Sequence, residues 1–116
     1  MNILPNIEIV NATPHPLNIS VEGVQVLNLP VSGIVARAAS TTQQYGEITV
    51  NGVRVPLFQT RFGALEGLPE PREGVVYVVS ALAAAAAPER NDLLTPGPLV
   101  RDEAGVVIGC NGLNKP

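Results

Sequence analysis

Hydrophobic and polar residues in this chain follow two patterns, a strict alternation and a short continuous run, and both are patterns of strands. Leu17, Ile19 and Val21 alternate with polar neighbours, Glu22-Gly23 interrupts them, and Val24 and Val26 resume the alternation. Successive side chains of a strand point to opposite faces, so NISVEGVQVL is predicted to be a hairpin with a two-residue turn. Leu27 and Leu29 then take the opposite parity, which calls for a bulge or for a strand covered on both faces. EITV and VRVP flank Asn51-Gly52. That dipeptide supplies the two positive-φ positions of a type I′ turn, so a second hairpin is predicted there. LVRDEAGVVIGC reads as a last hairpin with DEAG in its turn.

The continuous runs fill in the rest. Ile7 to Val10 predicts a first strand, stopped by Asn11, Thr13, Pro14 and Pro16 in a rigid turn that holds His15. Ile34 to Ala39 is an apolar run with Arg37 inside it, and the STTQQYG that follows reads as a polar loop. GALEGLPEPREG is expected to be an ordered surface loop, because its glycines and prolines oppose regular hydrogen bonding. Val75 to Val79 is entirely apolar and β-favouring, which predicts a central strand covered on both faces. Ser80 follows it as an N-cap for ALAAAAA, a short helix that Pro88 ends. Pro96-Gly97-Pro98 forces an extended exit, and the tail GLNKP is expected to fray. The predicted fold class is α+β: a mostly antiparallel twisted sheet, or a small barrel of hairpins, with one short helix packed on it. Residues 1–116 form a single domain in this reading, since no repeat, linker or change of composition divides them.

Composition narrows the partners. Phe58, Phe62, Tyr45 and Tyr77 are the only aromatics, so the core has to be packed from small branched side chains. The net charge is −3 with no block of Lys or Arg, which removes the electrostatic footprint of a nucleic-acid partner. Arg outnumbers Lys six to one. Arg suits bidentate capture of phosphate or carboxylate, but the abundance of Ala, Gly, Pro and Val makes codon bias the preferred explanation. Cys110 is the only cysteine and cannot form an internal disulfide, as is usual in a reducing compartment. MNILPNIEIVN lacks the basic and apolar regions of a signal peptide, and no run has the apolar length of a membrane span. A cytoplasmic protein with no membrane partner is expected.

Candidate chemistry is sparse. One histidine, one cysteine and no HExxH, GxSxG or P-loop pattern leave few acid–base groups, so no catalytic residue, metal site or cofactor is expected. A Cys110/His15 nucleophilic pair is disfavoured because Cys110 lies in an apolar strand, where a thiol packs as a small hydrophobe. Zinc is disfavoured because a structural site needs more N and S ligands than one chain offers. His15 in TPHP is fixed by its prolines, which suits a ligand contact and suits a plain turn histidine better. The junction at Ser80 and Ala81 is the leading candidate, because the first N–H groups of a helix lack partners and attract anions. Arg90, Arg101 and Arg61 would complete an anion clamp if the fold brought them together. The plainer alternative is capping by Ser80, with Arg90 paired to Asp92 at the surface.

NATPHPLNI, SGIVARAAS, GLPEPREGVVYVVSALAAAA, PERNDLLTPGPLVRDEAG and VIGCNGL together resemble a family of small uncharacterised proteins of bacteriophages and bacteria. The resemblance spans nearly the whole chain and is most specific from Val75 to Gly112. It carries no catalytic residues over. What it implies is a setting in which compact phage proteins neutralise host defences, some by sequestering nucleotide second messengers.

Three functions are ranked from these observations. The first is a binding protein for a small anionic, nucleotide-like molecule, held by Ser80, Ala81, Arg90, Arg101, Arg61 and His15. The second is a structural or interaction module that self-associates or binds a partner through an exposed strand edge. The third is a phosphodiesterase with His15 as general base. A homo-oligomer is expected under each, because a low-charge, Val-rich sheet leaves an edge or face to cover.

Overall fold

The computed structural model describes residues 7–116. Part of the N-terminal segment read for a signal peptide, residues 1–6, lies outside the described residues. Ten strands and one short helix follow in the order β1 (Glu8–Asn11), β2 (Leu17–Val21), β3 (Val24–Leu29), β4 (Arg37–Val50), β5 (Val53–Glu66), β6 (Val75–Val78), α1 (Ala81–Ala85), β7 (Leu93–Pro96), β8 (Leu99–Arg101), β9 (Val107–Asn111) and β10 (Leu113–Asn114). The β-rich α+β class is correct, but the strand pairing is mixed rather than mostly antiparallel, and no barrel closes.

The first sheet has the order β1-β6-β7-β10. β6 pairs in parallel with both β1 and β7, while β10 runs antiparallel to β7. β6 is thus the central strand that its continuous apolar run predicted, and Tyr77, Val78 and Val79 are essentially inaccessible. Parallel neighbours need long crossovers, and α1 lies in the one between β6 and β7. Ala83, Ala84 and Ala87 pack against Val75, Tyr77, Val79 and Leu93. Their short side chains let the helix sit close to the sheet, which suits a core with few large residues. The tail is not frayed: Leu113 and Asn114 pair with Pro96 and Thr95.

The second sheet has the order β3-β2-β9-β8. The predicted hairpins are both present. Glu22 and Gly23 take positive φ in the β2–β3 turn. The parity change at Leu27 is a bulge: Ile19 faces Leu27 whereas Ser20 faces Gln25, leaving Val26 as the extra residue. The β8–β9 turn is closed by Asp102, whose carboxylate accepts from the N–H groups of Ala104 and Val106 at 2.9 and 3.0 Å.

β4 and β5 form a separate two-stranded ribbon around Asn51-Gly52, both at positive φ. The hairpin is far longer than EITV and VRVP alone predicted. STTQQYG, read as a loop, belongs to β4, and the beginning of GALEGLPEPREG belongs to β5. Fourteen residues per strand span about 45 Å at the rise of a strand, and the ribbon projects. The radius of gyration is 18.1 Å, against roughly 13 Å for a compact chain of this length.

Candidate functional site

Ser80 caps the helix as its sequence position predicted. Its Oγ accepts from the N–H of Ala83 at 3.2 Å, and its backbone is extended. The helix that follows is only five residues long, so the partial charge at its start is small. Thr13, Pro14, Arg37, Phe62, Ser80 and Leu82 border one open recess of about 260 Å³. Ala81 belongs to a different recess of about 480 Å³, which it shares with Arg90, Pro88, Leu93 and Asn114.

The three arginines of the expected clamp do not converge on Ser80. Arg90 is committed to the fold: Nε and Nη2 donate to both carboxylate oxygens of Asp92 at 2.8 and 2.6 Å, and Nη1 donates to the carbonyl of Pro69 at 3.1 Å. Its guanidinium also lies 5.9 Å from the centroid of the Tyr77 ring. The pair is largely buried, with side chains 15% and 13% exposed, so it is an internal strut and not the surface pair expected. Hydrogen bonding between the two groups raises the Arg90 pKa and holds the Asp92 carboxyl below its ordinary range. Arg101 donates to the carbonyl of Gly105 at 2.9 Å within its own turn. Arg61 sits on β5 with Thr41, Gln43, Tyr45 and Gln59, along the projecting ribbon.

His15 faces yet another recess, of about 720 Å³, beside Leu17, Leu99, Ile108 and Cys110. His15 and Ser80 thus line separate recesses. Cys110 does share one with His15, but the thiol residue is fully buried and His15 is exposed. The turn is held by Asn11, a buried side chain that sequence reasoning treated only as a strand stop. Asn11 Nδ2 donates to the carbonyls of His15 and Leu29 at 2.8 and 3.0 Å, and Oδ1 accepts from the N–H of Thr13 at 3.0 Å. Asn two residues before a Thr and three before a Pro is an Asx-turn signal, and it marked this anchor in the sequence.

The least expected surface is the ribbon. In its outer half, Val50 faces Val53, Ile48 faces Val55 and Gly46 faces Leu57, so Ile48, Val50, Val53, Val55 and Leu57 share one face. Tyr45 is an extra residue in β4, and it shifts the parity. In the inner half, Phe58 and Phe62 stand on the opposite face by the alternation of β5, with the hydroxyls of Thr42 and Thr60 2.9 Å apart between them. Each half carries polar residues on its other side. Glu47 and Arg54 pair diagonally near the tip, 3.9 Å apart, and nearer the base Gln43 faces Gln59 and Thr41 faces Arg61. Three of the chain's four aromatics, Tyr45, Phe58 and Phe62, are more than half exposed here. At its base β4 packs on α1.

Fold and site together define a class, a β-rich α+β protein with a projecting two-stranded arm. No family model, curated protein or solved structure matches the chain. No described helix is long and apolar enough to cross a membrane.

Proposed function

We propose that the chain is a structural or protein-interaction module that self-associates, and that its working part is the β4–β5 arm. One observation carries this reading: a two-stranded ribbon stands clear of both sheets with an exposed apolar face in each half. Two strands without a layer over them are marginal in water, and exposed apolar patches of this kind are characteristic of interaction surfaces. The test is mass in solution. Light scattering on the purified chain is expected to give a multiple of 12.1 kDa, and the single-chain mass at every concentration studied overturns the reading.

A second reading, capture of a small anionic and nucleotide-like molecule of the kind a phage would sequester, is favoured by one feature of the Ser80 recess. Arg37 and the exposed ring of Phe62 border it with the Ser80 hydroxyl, and Arg37 has no ion pair among the described residues. A guanidinium and an aromatic ring are suited to a phosphate and a base. Calorimetry with cyclic and linear nucleotides tests it: binding that Arg37→Ala weakens supports capture, and no heat from any of them eliminates it.

A further inference from the structure

We propose that the outer half of the arm of one copy docks on the open face of the β3-β2-β9-β8 sheet of a second copy. The proposal rests on the self-association reading and adds the acceptor. Leu17, Ile19, Leu27, Leu99 and Cys110 share one face of that sheet by register and alternation, and Ile108, the extra residue of a bulge in β9, borders the same recess. Only Ile19 and Cys110 are buried, while Leu27, Leu99 and Ile108 are 45%, 55% and 51% exposed. A sheet face of this composition ordinarily has a layer over it, and here part of it lines the 720 Å³ recess.

Three observations select a second copy as the occupant. The first is area. The chain exposes 8379 Å², whereas a globular monomer of its mass exposes roughly 6,000 Å². The excess of about 2,000 Å² per chain is of the size that permanent subunit interfaces cover. The second is chemistry. The arm's outer apolar face has no charged residue, because Glu47 and Arg54 lie on the other side. His15 is the only ionisable side chain bordering the acceptor recess besides the Cys110 thiol, and Arg101, which shares the face of Leu99 by alternation, donates to the carbonyl of Gly105 in its own turn, so the recess itself receives the arm without burying an ion. The third is reach. The arm packs on α1 at its base, and the molecule is 61 Å along its longest axis, so the seat proposed for the tip is the equivalent sheet of a neighbour. An arm on a different surface of the partner is a head-to-tail contact. Two copies close by exchanging arms reciprocally.

Two variants test this by complementation. Ile48→Glu/Val55→Glu disables the arm, and Leu99→Glu/Ile108→Glu disables the acceptor. Each alone is expected to raise the dissociation constant on the order of 100-fold, and mixing the two is expected to restore 1:1 pairs, since one good arm then meets one good face. Should either variant misfold, oxidation of Val55→Cys/Leu99→Cys in a Cys110→Ala background gives a second readout: intermolecular cross-links between positions 55 and 99 are expected with both cysteines and not with either alone. A wild-type chain that is monomeric overturns self-association itself. A wild-type assembly that survives the acceptor variant, or a mixture that stays monomeric, overturns the acceptor while leaving self-association standing.

Discussion

Val75–Val78 and Val53–Glu66 are both strands rich in branched and aromatic side chains, yet β6 is buried along most of its length and β5 is exposed along most of its own. The difference lies in their neighbours. β6 has a strand on each side and α1 over one face, whereas β5 has β4 alone. Similar residues are therefore used differently: in β6 the burial is complete within the chain, and in β5 most side chains stay exposed. The core stabilises the molecule, and under the proposed reading the arm gives it something to bind with.

Substitutions can separate the two regions. Tyr77→Ala removes a ring that is 3% exposed and is expected to cost about 3–5 kcal/mol, lowering the denaturant midpoint equally at all protein concentrations. Gly67→Ala comes next. At φ +95° its new Cβ would lie 2.2 Å from the carbonyl oxygen of Val35, so the base of the arm must shift, at about 2–3 kcal/mol. A chemical-denaturation midpoint equal to wild type would show that this junction is not rigid.

Asp92→Asn keeps the shape of the Arg90 strut but removes its charge, and a loss of about 1–2 kcal/mol is expected near neutral pH. The sign of the pH dependence follows from the lowered Asp92 pKa. A carboxylate whose folded pKa is depressed contributes stability above its unfolded pKa and loses it as pH falls through the folded value. Wild type should therefore weaken on acidification more than the variant does, as read by thermal melts across the acidic range. Ser80→Ala is expected to cost about 1 kcal/mol through loss of the cap, without changing the assembly. Ile48→Ala, on the outer face of the arm, should change the unfolding of the dilute single chain by less than about 0.5 kcal/mol. Its effect is expected only where stability depends on concentration, because a partner that binds the folded state alone stabilises it by mass action.

Local features were legible in the sequence and distant ones were not. Asn51-Gly52, the Val26 bulge and the Ser80 cap are each specified within a few residues, and the structure contains all three. The parallel pairing of Glu8 with Val75 joins segments with no local signal for one another. STTQQYG was misread for a different reason. Thr41 to Gln44 bury neither face, and alternation of apolar and polar residues signals a strand only where one face is covered. There the ribbon is held by backbone pairing and by contacts such as Thr42 with Thr60. The occupancy of the Arg90 fork by Asp92, two residues away, is a matter of side-chain geometry that spacing alone does not specify.

Hydrogen exchange along the arm tests the central claim most directly. At assembling concentrations, amides of Ile48–Val55 are expected to be protected well beyond the level of an isolated hairpin, and to lose that protection on dilution while β6 keeps its own. Arm amides that exchange rapidly at every concentration, beside a protected β6, would contradict the assignment of the arm as a docking element.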